Sequence, residues 1–268
     1  MTQPHHAPTK IRHAKIRHAL KLRRIEVAQV IPLSATMQRV IFTGADLHDF
    51  VTSGPDDHVK LFFPRPGSTE PVLPDLDADR SAPRNPDLIA RDYTPRRFDE
   101  ETGELTIDFV LHETGPATQW AAQARPGQSL GMGGPKASHR PSDFFTRHLL
   151  IGDDTALPAI GRILEELPPH HRAVVVLDTR ETDKTYTLQS HGRVDIFRCA
   201  PEQDLTGLLR LVVLPAAEKL NVWIAAEIDQ VRALRDHLIN EEAIPRTRIR
   251  AAGYWRRGAA AGGTRIED

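Results

Sequence analysis

Arg91-Asp92-Tyr93-Thr94-Pro95-Arg96, then Glu104-Leu-Thr-Ile-Asp-Phe-Val-Leu111, then His112-Glu113-Thr114-Gly115-Pro116-Ala117-Thr118 decide how this chain reads. The middle stretch alternates apolar with polar residues, the period of a strand with one buried face. Arg91 is a permanent cation with a planar fork of donors, suited to a diphosphate. Tyr93 offers a flat aromatic face and a hydroxyl. Thr94 adds a second hydroxyl beside its own backbone amide. Gly115 to Thr118 place backbone N–H groups at a helix start, where a phosphate is favoured. A plainer reading is also open: Tyr and Thr serve β propensity, Arg91 faces solvent, and Gly-Pro-Ala-Thr is a loop entering a helix.

The whole chain bounds the choice. At 268 residues it suits two modest domains or one large one, and 40% apolar with 26% charged residues describes a globular protein with real cores. A formal charge of −1 argues against a dedicated nucleic-acid binder. One cysteine, Cys199, excludes a disulfide framework and any cysteine-based zinc or iron–sulfur site. It is expected as a buried strand-end residue. No apolar run is long enough to span a bilayer, and the basic N-terminus leads into no apolar stretch, so a cytoplasmic location is expected. Residues 1–24 read as a basic tail, with Lys10-Ile-Arg-His-Ala14 repeated as Lys15-Ile-Arg-His-Ala19. An electrostatic arm is the alternative. His5, His6, His13 and His18 have no spacing that fixes a coordination geometry, so no metal site is assigned.

Residues 25–140 read as short strands at 25–31, 36–43, 57–63, 91–97, 104–111 and 128–133, with one helix at 117–124. Turn signals between them predict a six-stranded antiparallel barrel. The segment from Pro64 to Pro86, rich in Pro, Asp and Arg, is a surface loop. Residues 141–268 change to strand–helix alternation, with strands at 148–152, 172–177, 193–197, 221–226 and 247–252. Helices are expected at 155–167, around 204–214 and at 229–240. This pattern predicts a parallel sheet with helices on both faces. Gly152 to Ala159 then lie at a strand's C-terminal end running into a helix, where such sheets bind ligands. An ordinary turn capped by Asp154 or Thr155 fits that segment equally well.

Arg-x-Tyr-Thr followed by Gly-x-x-Thr resembles the flavin site of the ferredoxin-reductase superfamily. Gly152-Asp-Asp-Thr-Ala-Leu-Pro-Ala159 is similar to the Gly-Asp-Glu-Thr-Ala-Leu-Pro-Ala signature of siderophore-interacting proteins, flavin-dependent ferric-chelate reductases within that superfamily. Asp57-His-Val-Lys-Leu-Phe-Phe-Pro64, Arg91-x-Tyr-Thr-x-Arg96, Val110-Leu-His112 and Gly115-Pro-Ala117 with Trp120 agree in order. So do Gly134-Pro135 and Gly253-Tyr-Trp-Arg256 with Gly258, and the resemblance covers roughly residues 25–258. Two departures stand out. Ala225-Ala226-Glu227 replaces the usual Ala-Gly-Glu, and Asp92 puts an acid in the flavin strand, where alternation should turn it away from the phosphates.

The resemblance implies FAD in the first domain and NADPH (or NADH) in the second, with electrons passing to a ferric siderophore and Fe(II) released. It implies FAD contacts from Arg91, Tyr93, Thr94, Arg96, Asp108, Val110, His112, Gly115, Pro116, Ala117, Thr118 and Trp255. For His112 the other role is a strand end bonded to backbone, and for Trp255 a cap on the core. Nucleotide contacts are implied for Gly152, Asp153, Asp154, Thr155, Ala156, Pro158, Asp178, Arg180, Ala226 and Glu227. Asp178 suits the ribose hydroxyls of NAD and Arg180 a 2′-phosphate, and NADPH is preferred. Lys60, Arg97, Arg256 and Arg257 are candidate cations for an anionic siderophore, each otherwise a solvated surface charge. No catalytic acid or base is expected, because outer-sphere electron transfer needs none. Two other functions are alternatives: a flavin reductase or electron-transfer component for a partner protein, and a siderophore carrier without enzymatic activity, against which Arg91, Tyr93 and Thr94 together argue. The oligomeric state is left open, with a monomer as the expectation.

Overall fold

The alternation at residues 104–110 produces a strand in which Leu105, Ile107 and Phe109 are fully buried. The computed structural model describes residues 14–76, 85–112, 115–179, 186–258 and 264–265. Its first half contains β1 (Ala14–Arg17), β2 (Leu22–Pro32), β3 (Met37–Thr43), β4 (Val59–Phe63), β5 (Ile89–Tyr93), β6 (Arg97–Asp99), β7 (Glu104–Val110), α1 (Pro116–Ala122), β8 (Ser129–Gly133) and β9 (Ala137–Arg140). The second half contains β10 (Arg147–Asp153), α2 (Leu157–Glu165), β11 (Arg172–Asp178), β12 (Arg193–Arg198), α3 (Leu205–Leu209), β13 (Leu220–Glu227), α4 (Ile228–Asn240), β14 (Ile249–Trp255) and β15 (Thr264–Arg265).

The first sheet is antiparallel, with strand order β5-β4-β8-β2-β3-β7-β6. Seven strands replace the six expected, because the single strand anticipated at 91–97 is two. Pro95 has no N–H to give a ladder and cannot sit inside a paired strand. The chain leaves β4 after Tyr93 and joins β7 at Arg97. β5 and β6 are thus the two ends of the sheet, yet only Thr94, Pro95 and Arg96 separate them, so the sheet curls back on itself.

The expected basic tail is corrected over residues 14–24. β1 pairs antiparallel with β9, and β2 already begins at Leu22. His18 Nε2 lies 2.7 Å from the Ser138 hydroxyl, which is 2.6 Å from Asp57 Oδ2. Arg23 is buried against Phe50 and bonded to Asp49. Positive charge alone does not keep a segment off the fold when its cations find partners, as Lys21 and Arg23 do on Asp49 and Arg24 on Glu70. Residues 1–13, with His5, His6, His13 and most of the first repeat copy, lie outside the described residues.

The second sheet has order β12-β11-β10-β13-β14-β15, parallel through β14, with β15 antiparallel at its edge. The strand order reverses between β10 and β13, two parallel neighbours from which successive strands are added in opposite directions; this is the switch point where ligands of such sheets sit. α2 packs on one face with Leu150, Val175 and Trp223; α3 and α4 pack on the other with Leu149, Ile151 and Val222. Cys199 is half-buried just past β12, its amide bonded to the Leu177 carbonyl. Met37, fully buried, joins the α2-side core, and Leu33 and Val110 pack against it. The two halves therefore share one apolar cluster.

At the other end of the parallel sheet, His148 is 3% exposed, with Nε2 3.1 Å from His171 Nδ1. Its Nδ1 has no partner among the described residues. Burial, with His171 adding to it, pushes the His148 pKa down to about 4. His171 is also lowered, by burial and then by His170. The unfolded chain protonates His148 near its ordinary value, so between about pH 6.5 and 4 the unfolded state binds more protons. Stability is full above that window and falls through it, by roughly 3 kcal/mol for His148 alone. Unfolding midpoints measured from pH 7.5 to 4.5 should show this slope, and His148→Gln should flatten it.

Candidate functional site

The register of β5 on β4 sorts the key side chains between two faces. Tyr93, Arg91 and Ile89 stand opposite Val59, Leu61 and Phe63, on the inner face of the curl. Tyr93 packs there with its ring centroid 4.4 Å from Phe109 and 6.2 Å from Phe63. Asp92 and Lys60 face each other on the outer face, 2.6 Å apart. The acid in this strand is thus neutralised on the side away from Arg91. Beyond Tyr93 the chain leaves the ladder, and the buried Thr94 side chain lies beside the Tyr254 hydroxyl of β14.

Across the inner face, His112 and Thr118 close a short loop. The Thr118 hydroxyl accepts from the His112 amide at 3.0 Å and donates to the His112 carbonyl at 3.1 Å. Gly115 inside this loop has φ +125°, a conformation side chains rarely adopt, and an added Cβ would lie 3.3 Å from His112 Cε1. Pro116 starts α1, where its missing N–H costs nothing. Ala117 and Ala121 bury the helix against the sheet, and Trp120 packs with Phe63 and Phe109.

At the switch point, Asp153 organises the C-terminal edge. Its Oδ1 accepts the Thr155 amide at 2.9 Å and hydroxyl at 2.5 Å; its Oδ2 accepts the Glu227 amide at 3.2 Å and the Trp255 indole at 2.7 Å. Burial raises the Asp153 pKa against the pull of these four donors. Glu227 is buried and caps α4, accepting from the Asp229 and Gln230 amides at 2.7 and 3.2 Å, while its other oxygen takes the Arg257 amide at 3.2 Å. Gly152 and Ala226 are buried between these caps. The end of β5 and this edge are neighbours, because Tyr254 lies beside Thr94 and the next residue, Trp255, bonds Asp153.

Residues 26–139 match the family described as siderophore-interacting FAD-binding domain, and residues 145–258 the one described as siderophore-interacting protein. Over 248 residues the chain is 34% identical to an NADPH-dependent ferric-chelate reductase of Escherichia coli (strain K12), covering 90% of this chain and 95% of the relative. The chain belongs to the siderophore-interacting protein family. It is also 34% identical over 237 residues to the ferric vibriobactin reductase ViuB of Vibrio cholerae serotype O1, covering 84% of this chain and 86% of that one. A solved siderophore utilization protein from T. fusca matches with TM-score 0.84 at 33% identity, covering 93% of this chain and 98% of that one.

Several positions in this siderophore-interacting protein depart from the roles expected of them. Arg96 is buried and turned toward the second half. Its Nη1 and Nη2 donate to Glu165 of α2 at 2.8 and 2.5 Å, and its Nε to the Tyr186 hydroxyl at 3.2 Å. Asp108 is 3% exposed and held by Arg39 at 2.7 and 2.9 Å and by the Tyr186 hydroxyl at 2.9 Å. Both serve the domain interface, as does Val110. Asp153 and Thr155 satisfy each other, so the turn is tied by its own side chain. Asp154 begins a short 3-10 turn, Ala156 is buried, and Pro158 sits in the first turn of α2. Asp178 ends β11 at this edge; Arg180 lies outside the described residues. Of the four candidate siderophore cations, Lys60 and Arg97 are paired with Asp92 and Asp99, while Arg256 and Arg257 are exposed beside the edge. Glu165, Tyr186 and Asp56 had no local signal, since their partners (Arg96 for the first two, Trp223 and Arg250 for Asp56) lie across the interface, and Arg162 likewise reaches Pro95 and Thr52.

Proposed function

We propose that this chain is a cytoplasmic flavin-dependent reductase that passes electrons from NADPH through FAD to ferric siderophores. The observation that carries this is the meeting of the half-sites: Thr94, which follows Tyr93 in the chain, lies beside Tyr254, and the next residue, Trp255, bonds Asp153 at the switch-point edge. The residues suit FAD. Arg91 stands on the same inner face as Tyr93, and Gly115 leaves open the space that a Cβ would fill next to His112. Arg91 would hold the diphosphate, Tyr93 the ring and ribityl chain, Thr94 the ring edge, and the backbone from Gly115 to Thr118 the remaining phosphate oxygens, with His112 beside them. Bound FAD accepts two electrons from a nicotinamide and releases them singly, which matches one NADPH to two ferric ions.

The nucleotide would lie along the edge formed by Gly152–Pro158, Asp178 and Ala226–Glu227. The first half (25–140) is the flavin unit and the second (141–268) the nucleotide unit. Fe(III), a hard cation, is held tightly by siderophore oxygens and Fe(II) far less tightly, so one-electron reduction releases the iron. The iron arrives in its own ligand shell as substrate. Arg256 and Arg257, with Lys60 and Arg97 at the periphery, supply positive charge toward an anionic chelate.

Anaerobic visible spectroscopy tests this directly. Flavin bands should bleach on adding NADPH and return, with Fe(II) forming, on adding a ferric catecholate. A protein that oxidises NADPH with free flavin but ignores ferric chelates would be a flavin reductase instead. A colourless protein that takes up no FAD but binds the chelate would be a carrier.

A further inference from the structure

We propose that Arg96 and Glu165 are positioning residues that lock the nucleotide half onto the flavin strand, controlling hydride delivery without touching either cofactor. This rests on the reductase reading above. Arg96 is 8% exposed, and its guanidinium has partners at all three nitrogens, two on Glu165 and one on Tyr186. Its plane lies against Gly161 of α2, where an added Cβ would be 3.2–3.3 Å from Nη2, Cζ and Nε. One residue along, Arg162 donates to the Pro95 carbonyl at 2.9 Å and to the Thr52 hydroxyl at 3.0 Å. The second half of α2 therefore grips Pro95 and Arg96, the two residues that follow Tyr93-Thr94 in the chain.

The start of the same helix follows the Gly152–Ala156 turn at the switch point. α2 spans nine residues, a rigid rod of about 14 Å. One end is fixed to the flavin strand and the other carries the nucleotide turn. The clamp is not needed as glue, because Met37, Leu33 and Val110 already join the halves through apolar packing. A bidentate Arg–carboxylate pair adds fixed geometry, while buried pairs add little net stability over apolar replacements. Tyr186 extends the clamp to Asp108 and Arg39, so β3 and β7 share in it. Hydride transfer is sensitive to such geometry, since displacement of about 1 Å can cost on the order of 100-fold in rate.

The test uses the full-length, FAD-loaded protein and separates the half-reactions. Glu165→Gln keeps the shape but weakens the clamp, and Arg96→Lys removes the fork. In stopped flow both should slow flavin bleaching by NADPH at least tenfold. Reoxidation of dithionite-reduced protein by iron tris(catecholate) should stay within twofold of wild type. FAD affinity and NADP+ affinity by calorimetry should also stay within twofold, and Glu165→Asp should fall between Gln and wild type in bleaching rate. Wild-type bleaching rates in both variants overturn the proposal, as does a parallel loss of FAD, thermal stability and both half-reactions. A wild-type protein whose flavin NADPH does not bleach sinks the reductase reading, and this role with it; a bleaching wild type beside unaffected variants sinks only the positioning role.

Discussion

Arg91→Ala should leave the purified protein nearly colourless and weaken FAD binding about 100-fold or more. Arg91 shares the inner face of β5 with Tyr93, above the apolar floor of Leu61 and Val59. A charge-assisted hydrogen bond contributes about 1.5–3 kcal/mol, and a forked pair to a diphosphate adds geometric selectivity. Loss of the fork and its charge should therefore remove near 3 kcal/mol of FAD binding. Arg91→Lys keeps the charge without the fork and should fall between, near a tenfold loss. The ladder pairing of β5 is unchanged in both, so the apo-protein should melt within a few degrees of wild type. Flavin-to-protein absorbance ratios and FAD titrations by fluorescence quenching measure the effect. Stoichiometric FAD in Arg91→Ala would remove this residue from the cofactor site.

Gly152→Ala should be the most damaging single-methyl change in the nucleotide half. The new Cβ would sit 2.4 Å from Ala156 Cβ, 2.9 Å from the Ala225 carbonyl and 3.2 Å from Ile160 Cδ1. Two of these belong to the turn and helix that follow β10, and the carbonyl belongs to the neighbouring strand, so no flexible side chain can yield alone. Overpacking of this kind costs about 1–3 kcal/mol, and more where backbone must move. A loss of about 3 kcal/mol lowers the melting temperature by roughly 10 °C in a chain of this size. NADP+ affinity should fall as well, because relief requires the switch point to open. Adding Ala156→Gly should restore part of the melting temperature, since it removes the tightest contact and leaves the carbonyl. A Gly152→Ala protein as stable as wild type would contradict the close packing at this strand end.

Much of the architecture is legible in local pattern. The alternation of Glu104–Val110 and the continuous apolar run Ala173–Leu177 read directly as β7 and β11, because burial on one face or two leaves different periods. The five parallel strands and the two longer helices follow from the same logic. Pro95 was also in plain view, yet β propensity in Tyr93 and Thr94 masked the break it imposes. The basic stretch from Ala14 to Arg24 misled for a different reason: its strands depend on Ser138, Asp49 and Gly134, far along the chain. Arg91 and Arg96 look alike within one motif. Only a carboxylate 69 residues later decides that Arg96 belongs to the interface. Asp153 is similar, since its partners Glu227 and Trp255 lie 74 and 102 residues away.

The shared cluster around Met37 has a consequence for recombination. Where two domains meet at a polar boundary and each keeps its own interior, a cut in the linker invites exchange of halves. Here Leu33, Met37 and Val110 belong by sequence to the first half and by packing to the second. A chimera carrying a foreign nucleotide half would expose these side chains or press them against a surface of the wrong shape. Successful grafts would have to transplant the β2–β3 turn and the end of β7 along with the second half, making the exchangeable unit discontinuous in the gene.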